Sequence, residues 1–175
     1  PFAKRTVEGD LGMRFSCTTP FEAAVKNNLI DPEDCKEYIE LISKETAYLP
    51  QKEEEHKWDA ILGEMALKIA LARHAGHLEV VYTPFGTSFL QYGKDLTRIK
   101  NVIGTGGVLI KSRDPDGILS KVFLDKKDNQ ALKPGNPRLW LDKKYILAAM
   151  GLLAEIDPVK ALRIMKKYLS ELGGN

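Results

Sequence analysis

The hydrophobic period of this chain changes at Gly76. Before that point apolar residues recur every three to four positions; directly after it they alternate or gather in short runs, and strand-like and helical stretches then follow one another. Helical spacing followed by strand spacing requires helices layered against a sheet, an α/β arrangement. In the first part, Thr19-Pro20 reads as a cap followed by proline at the first helical position, opening a short helix through Phe21, Ala24 and Val25. Asp31-Pro32-Glu33 repeats that signal for a second helix, with Tyr38, Ile39, Ile42 and Thr46 as its stripe and Pro50 as its stop. Glu53, Glu54 and Glu55 suit the positive end of a longer third helix. Trp58, Ile61, Leu62, Met65 and Ile69 mark its inner face, Leu67 and Leu71 widen it, and Gly76 ends it.

Beyond Gly76, Glu79–Thr83 and Thr87–Tyr92 flank Pro84-Phe85-Gly86 as a hairpin. Gly93–Thr97 is a turn, Asn101-Val102-Ile103 a short strand, and Val108-Leu109-Ile110 a further apolar run. Asp114-Pro115 caps a helix whose Ile118, Leu119, Val122 and Phe123 face inward, and Lys133–Pro137 is loop. Asp142 caps a helix that is apolar nearly all round from Tyr145 to Leu153, which predicts deep burial. Asp157-Pro158 caps the last helix, with the stripe Leu162, Met165, Leu169 and Leu172, closed by Gly173-Gly174. At the other end, Phe2–Glu8 is β-like and Gly9-Asp10-Leu11-Gly12 is a tight turn.

A chain of 175 residues suffices for one domain or one lobe. Its formal charge of +2 gives no basic footprint for nucleic acid. No apolar run approaches the ~20 residues needed to cross a membrane. Cys17 and Cys35 have no metal-type spacing and read as reduced thiols of a cytoplasmic protein. The opening Pro1-Phe2-Ala3-Lys4-Arg5 lacks Met and a signal-peptide core, which suggests a segment of a longer polypeptide.

The residues with most chemical content are Gly104-Thr105-Gly106-Gly107, directly after the short apolar strand. Without Cβ atoms such a loop turns sharply and lets a flat ring or a phosphate approach the backbone. In open α/β sheets, ligands collect at the carboxyl ends of strands, where this loop falls. The string matches neither the dinucleotide fingerprint nor the Walker loop, and a plain strand-end turn is an equal reading of the spacing.

Three longer strings carry a resemblance. Arg5-Thr6-Val7-Glu8-Gly9-Asp10-Leu11-Gly12-Met13-Arg14, then Gly93–Thr97 with Asn101–Leu109, then Asp142–Ala154, together resemble the MutL family associated with adenosylcobalamin-dependent glutamate mutase. That family is unrelated to the mismatch-repair protein of the same name, and belongs to the actin, sugar-kinase and heat-shock-chaperone superfamily. The resemblance implies that residues 1–175 form the C-terminal lobe of an actin-like, ribonuclease H-like fold. Such a lobe has a mixed sheet with helices on both faces, plus a helical insertion over about 20–50. It casts Gly104, Thr105, Gly106 and Gly107 as the adenosine loop, and Gly9, Asp10, Gly12 and Arg14 as lining the nucleotide cleft. An acid there holds metal-bound water and an arginine meets phosphate.

The function so implied is an ATP-linked chaperone that reactivates an adenosylcobalamin-dependent mutase. ATP or ADP with Mg is the cofactor, and the mutase and an upstream N-terminal lobe are partners. The family's phosphate loops belong upstream of Pro1, no Asp-x-Gly-x-Thr string occurs here, and this segment alone is expected to hydrolyse little or no ATP. The rival classes are a small-molecule kinase or acyl-CoA-type activator of the same superfamily, and an interaction module without nucleotide. His74 and His77 read as helix-end residues, Glu53-Glu54-Glu55-His56 as a solvated first turn, and Trp58 and Trp140 as packing.

Overall fold

The computed structural model describes residues 7–123 and 130–173. The expected strand at Phe2–Glu8 lies largely outside them. Three helices come first: α1 (Thr18–Lys26), α2 (Pro32–Lys44) and α3 (Glu53–His74). The hairpin β1 (His77–Thr83) and β2 (Gly86–Tyr92) follows as an antiparallel pair, where the sequence places it. Then come β3 (Asn101–Gly104), α4 (Gly107–Lys111), α5 (Pro115–Leu119) and a 3-10 turn at Ser120–Val122. The chain continues through β4 (Arg138–Asp142), α6 (Leu147–Ala154), α7 (Pro158–Tyr168) and β5 (Leu169–Glu171). The fold is thus mixed α/β with two small sheets. The second sheet has the order β3-β4-β5, parallel between β3 and β4 and antiparallel between β4 and β5.

All three Asp-Pro signals start helices. Asp31 accepts from Glu33 N at 3.0 Å, Asp114 from Gly117 N at 2.8 Å and Asp157 from Lys160 N at 2.9 Å. Each satisfies an amide that the first turn leaves orphaned. The Thr19 cap is corrected: α1 begins at Thr18 and its N-cap, Cys17, makes no side-chain cap bond.

The spine is α3, 22 residues and about 33 Å long. Leu62 and Met65 close one core with Cys17, Ala24, Cys35, Tyr38, Ile39 and Ile42 from α1, α2 and the segment before them. Leu67 and Leu71 pack beside a second core, Leu109, Ile118, Leu119, Val122, Leu139 and Leu141, which ties α4 and α5 to the sheet. One helix therefore joins a helical layer to a helix-on-sheet layer.

The C-terminal end departs from the sequence reading at three places. Arg138–Asp142, to which the sequence assigns no element beyond the Asp142 cap, is a central strand. Residues 169–171 pair with β4 instead of extending the last helix, although Leu162, Met165, Leu169 and Leu172 keep helical spacing. Leaving the helix lets the backbone join the sheet, with Leu172 N donating to Leu139 O at 2.8 Å. The third is α6, which is apolar all round but holds no buried residue, because its main neighbour is α7 on one side.

Candidate functional site

A cavity of about 420 Å³ opens where the loop before α1, the α2–α3 connection and the β3–α4 loop converge. Met13 and Arg14 form one wall, and Tyr48, Leu49 and Pro50 another. His56 and Asp59 come from the first turns of α3. Thr105, Gly106, Gly107 and Val108 face them, with Lys111 and Ser112 at the end of α4. Arg14 and the glycine loop, some ninety residues apart in sequence, thus share one cavity. Gly9, Asp10, Gly12 and Gly104 are not among its lining residues.

Arg14 is held rather than free. Its Nη1 and Nη2 donate to the Asp59 carboxylate at 3.1 and 2.8 Å, Nε donates to Tyr48 O at 3.2 Å, and Nη1 also reaches Met13 O at 2.7 Å. Tyr38 donates its hydroxyl to Asp59 Oδ1 at 2.8 Å. Burial works against the Arg14 charge, but the bonds to Asp59 outweigh it and keep the guanidinium above its ordinary pKa. Burial, reinforced by the bond to Asp59, raises the Tyr38 phenol and keeps it a neutral donor. Four of the five guanidinium N–H donors of Arg14 are thus engaged within the protein, which fixes the side chain at the cavity wall.

Asp10 points elsewhere. Both its oxygens pair with Arg73 at 2.7 and 2.8 Å, Glu8 joins the same guanidinium, and the hydrogen bond from Arg73 holds the Asp10 carboxyl below the usual range. Among the described residues no group of three His, Cys, Asp or Glu side chains is placed to hold a metal ion.

The four residues of the glycine loop do different things. Gly104 is buried, and an added Cβ would stand 2.7 Å from Leu109 Cδ1 and 3.0 Å from Leu119 Cδ2, so its bareness serves packing. Thr105 donates its hydroxyl to Asp142 Oδ2 at 3.2 Å. Gly106 has φ 113° and ψ 157°, a region nearly closed to side chains, with open space where a Cβ would go. Gly106→Ala should therefore cost about 1–3 kcal/mol of stability through backbone strain alone. A melting temperature equal to that of the unsubstituted protein would show that the bend relaxes freely.

Asp142 anchors the loop from behind. It is 1% exposed and accepts from Ile146 N at 3.1 Å and Leu147 N at 3.0 Å as well as from Thr105. Burial pushes its pKa up, but those donors outweigh burial and leave it below the ordinary 3.8. A folded-state pKa below the unfolded one adds stability that is complete above the unfolded value and disappears as pH falls through the folded value. Asp142→Asn should cost about 1–3 kcal/mol at neutral pH, because one of its acceptor oxygens becomes a donor facing donors. In chemical denaturation the gap between the two proteins should narrow as pH drops below 3.8. A gap that stayed constant down to pH values below this would refute an ionised Asp142.

Sequence reading missed Asp59 and Glu55. Both are buried acids on α3, in line with Leu62 at helical spacing, so a charge on the apolar face was the available signal. Glu55 corrects the solvated-turn reading: it accepts from Gln51 N, Lys52 N and the Tyr48 hydroxyl at 2.7, 3.2 and 3.0 Å. Next to the cavity, an apolar groove of about 530 Å³ runs along Leu67 and Leu71 of α3 past Val102, sharing Met13, Thr105 and Val108 with it.

A family model described as MutL protein matches residues 1–169. A relative from Clostridium tetanomorphum, Protein MutL, is 48% identical over 177 positions, covering 97% of this chain. The chain spans 38% of that relative's length, in its C-terminal part. No solved structure matches significantly.

Proposed function

The chain belongs to the MutL family, and on that footing we propose that it is the adenosine-binding lobe of an actin-like protein that reactivates an adenosylcobalamin-dependent mutase of the glutamate mutase type. The observation that carries the reading is the convergence of Arg14 with Thr105, Gly106 and Gly107 on one cavity. Leu49, Pro50, Val108 and the two bare glycines suit the faces of a purine ring, and the fixed guanidinium of Arg14 suits stacking on it. His56 and Lys111 supply polar groups beside the same space. A largely apolar pocket with a few placed polar groups is the usual form of a small-molecule site.

Magnesium fits this lobe only as a passenger on the nucleotide. The Asp10 oxygens are committed to Arg73, and no ligand set forms among the described residues. In the reading proposed, Mg bound with the nucleotide would neutralise phosphate charge, while hydrolysis would draw on residues outside this segment. Closure on ATP and opening after hydrolysis would alter affinity for the mutase, because a ligand shifts a conformational equilibrium only by its differential affinity for the two states.

Two measurements test this. Calorimetry on the protein at the full length of its family should show ADP and ATP binding, weakened at least about tenfold by Gly107→Val, which puts a side chain into the cavity. At Gly107 an added Cβ meets nothing within 4 Å, so the first carbon of the new side chain enters open space, and a thermal melt of the variant separates lost binding from lost stability. Adding the same protein and ATP to cobalamin-inactivated mutase should then restore turnover. Bound nucleotide without restored turnover would remove the reactivating role. ATP consumption that depended on an added metabolite would point to a kinase or activator instead.

A further inference from the structure

The eight residues of α6, Leu147-Ala148-Ala149-Met150-Gly151-Leu152-Leu153-Ala154, include no polar side chain, and none is buried. Leu147, Met150 and Leu153 are half-buried at helical spacing, which marks the side laid against α7. The other side is open, with Leu152 76% exposed. Next along the chain Ile156 is 84% exposed, and Val159 and Leu162, both on α7, are 77% and 47% exposed. The same stretch, residues 143–168, carries six cations, Lys143, Lys144, Lys160, Arg163, Lys166 and Lys167, against the carboxylates Glu155 and Asp157.

The geometry points to a permanent interface on this face. Its occupant is the part of the same polypeptide that precedes this segment in the relative. A helix apolar on every side suits burial between two protein layers. A helix that lies on a lipid surface needs a polar face, which α6 lacks. A second copy docked through the same elements would set two net-positive segments against each other, at a cost in like-charge repulsion. The relative, of which this segment is 38%, has most of its chain ahead of the aligned part. The face is also rigidly presented, since buried Asp142 holds the amides of Ile146 and Leu147 where α6 begins. The matching surface therefore carries apolar side chains together with Asp and Glu.

The inference stands independently of nucleotide binding, and its test uses none. In the full-length protein, single cysteines are placed at Leu152→Cys and Val159→Cys, with Phe85→Cys at the fully exposed hairpin tip as reference. Cys17 and Cys35 are buried, and burial pushes the Cys35 thiol up to about 11, so their own reaction is slow. Alkylation by iodoacetamide, followed at each site by mass spectrometry, should run at least about tenfold slower at 152 and 159 than at 85. Equal rates at the three sites would overturn the inference. Protection lost on dilution would assign the face to a second copy, and protection appearing only with phosphatidylserine vesicles would assign it to lipid; either outcome also overturns it. Hydroxyl-radical footprinting of Leu152 and Ile156 in the unsubstituted protein must give the same pattern, which guards against a misfolded variant.

Discussion

Asp59→Ala should destabilise the protein by about 3 kcal/mol, because the substitution strands a half-buried guanidinium. At this chain length that corresponds to a fall of about 10 °C in melting temperature. Asp59 is 7% exposed and is the shared acceptor for Arg14 and the Tyr38 hydroxyl. Without it, Arg14 keeps only carbonyl acceptors, those of Tyr48 and Met13. The loss should be non-additive with Tyr38→Phe by about 1 kcal/mol, since both changes act on one network. Thermal unfolding of the two single variants and the double variant gives the number. The cavity wall should suffer too, so any ligand of the cavity should bind Asp59→Ala more weakly than its stability loss alone explains. A melting point within about 2 °C of the parent would mean that the triad contributes nothing net, as many exposed ion pairs do.

Gly76→Ala should cost at least about 3 kcal/mol, because the clash it makes is with backbone and no side chain can move to relieve it. An added methyl would lie 2.2 Å from Tyr92 O, 2.7 Å from the Gly93 carbonyl carbon and 2.8 Å from Lys94 N. The glycine also sits in the ladder that ties the hairpin to the body: its amide donates to Lys94 O at 2.7 Å and its carbonyl accepts from Leu132 N at 2.8 Å. The methyl can be accommodated only by parting those strands. Hydrogen exchange of the β1 and β2 amides should accelerate far more than that of α2. Gly135→Ala, with nothing within 4 Å, is the control and should change stability by less than about 0.5 kcal/mol. If both variants melt together with the parent, the close approach at Gly76 is wrong.

What could be read in advance was local. The Asp-Pro starts, the hairpin around Pro84-Phe85-Gly86 and the strand before Gly104 each announce themselves within a few residues, because caps and turns are local chemistry. Arg138–Asp142 did not, being five residues long with Pro137 just before it, and its strand identity depends on β3 and β5 lying on either side. The stripe through Leu169 kept helical spacing while sheet pairing took the backbone, so tertiary context overrode the pattern. The site behaved the same way. Glycines 106 and 107 were legible because the loop follows a strand. Asp59 was not, because its partners Tyr38 and Arg14 stand 21 and 45 residues away.

Asp142 has a further consequence, set by its having only two oxygens. One oxygen serves Leu147 N and the Thr105 hydroxyl together, the other Ile146 N, so loop and helix draw on the same acceptor. A molecule that takes the Thr105 hydroxyl for itself leaves that oxygen wholly to the first turn of α6. Tightening or fraying that turn would then change how readily the hydroxyl is released. If a ligand took that hydroxyl, the coupling would be reciprocal: whatever clamps α6 would alter affinity at the glycine loop by the same factor with which the ligand altered the clamp.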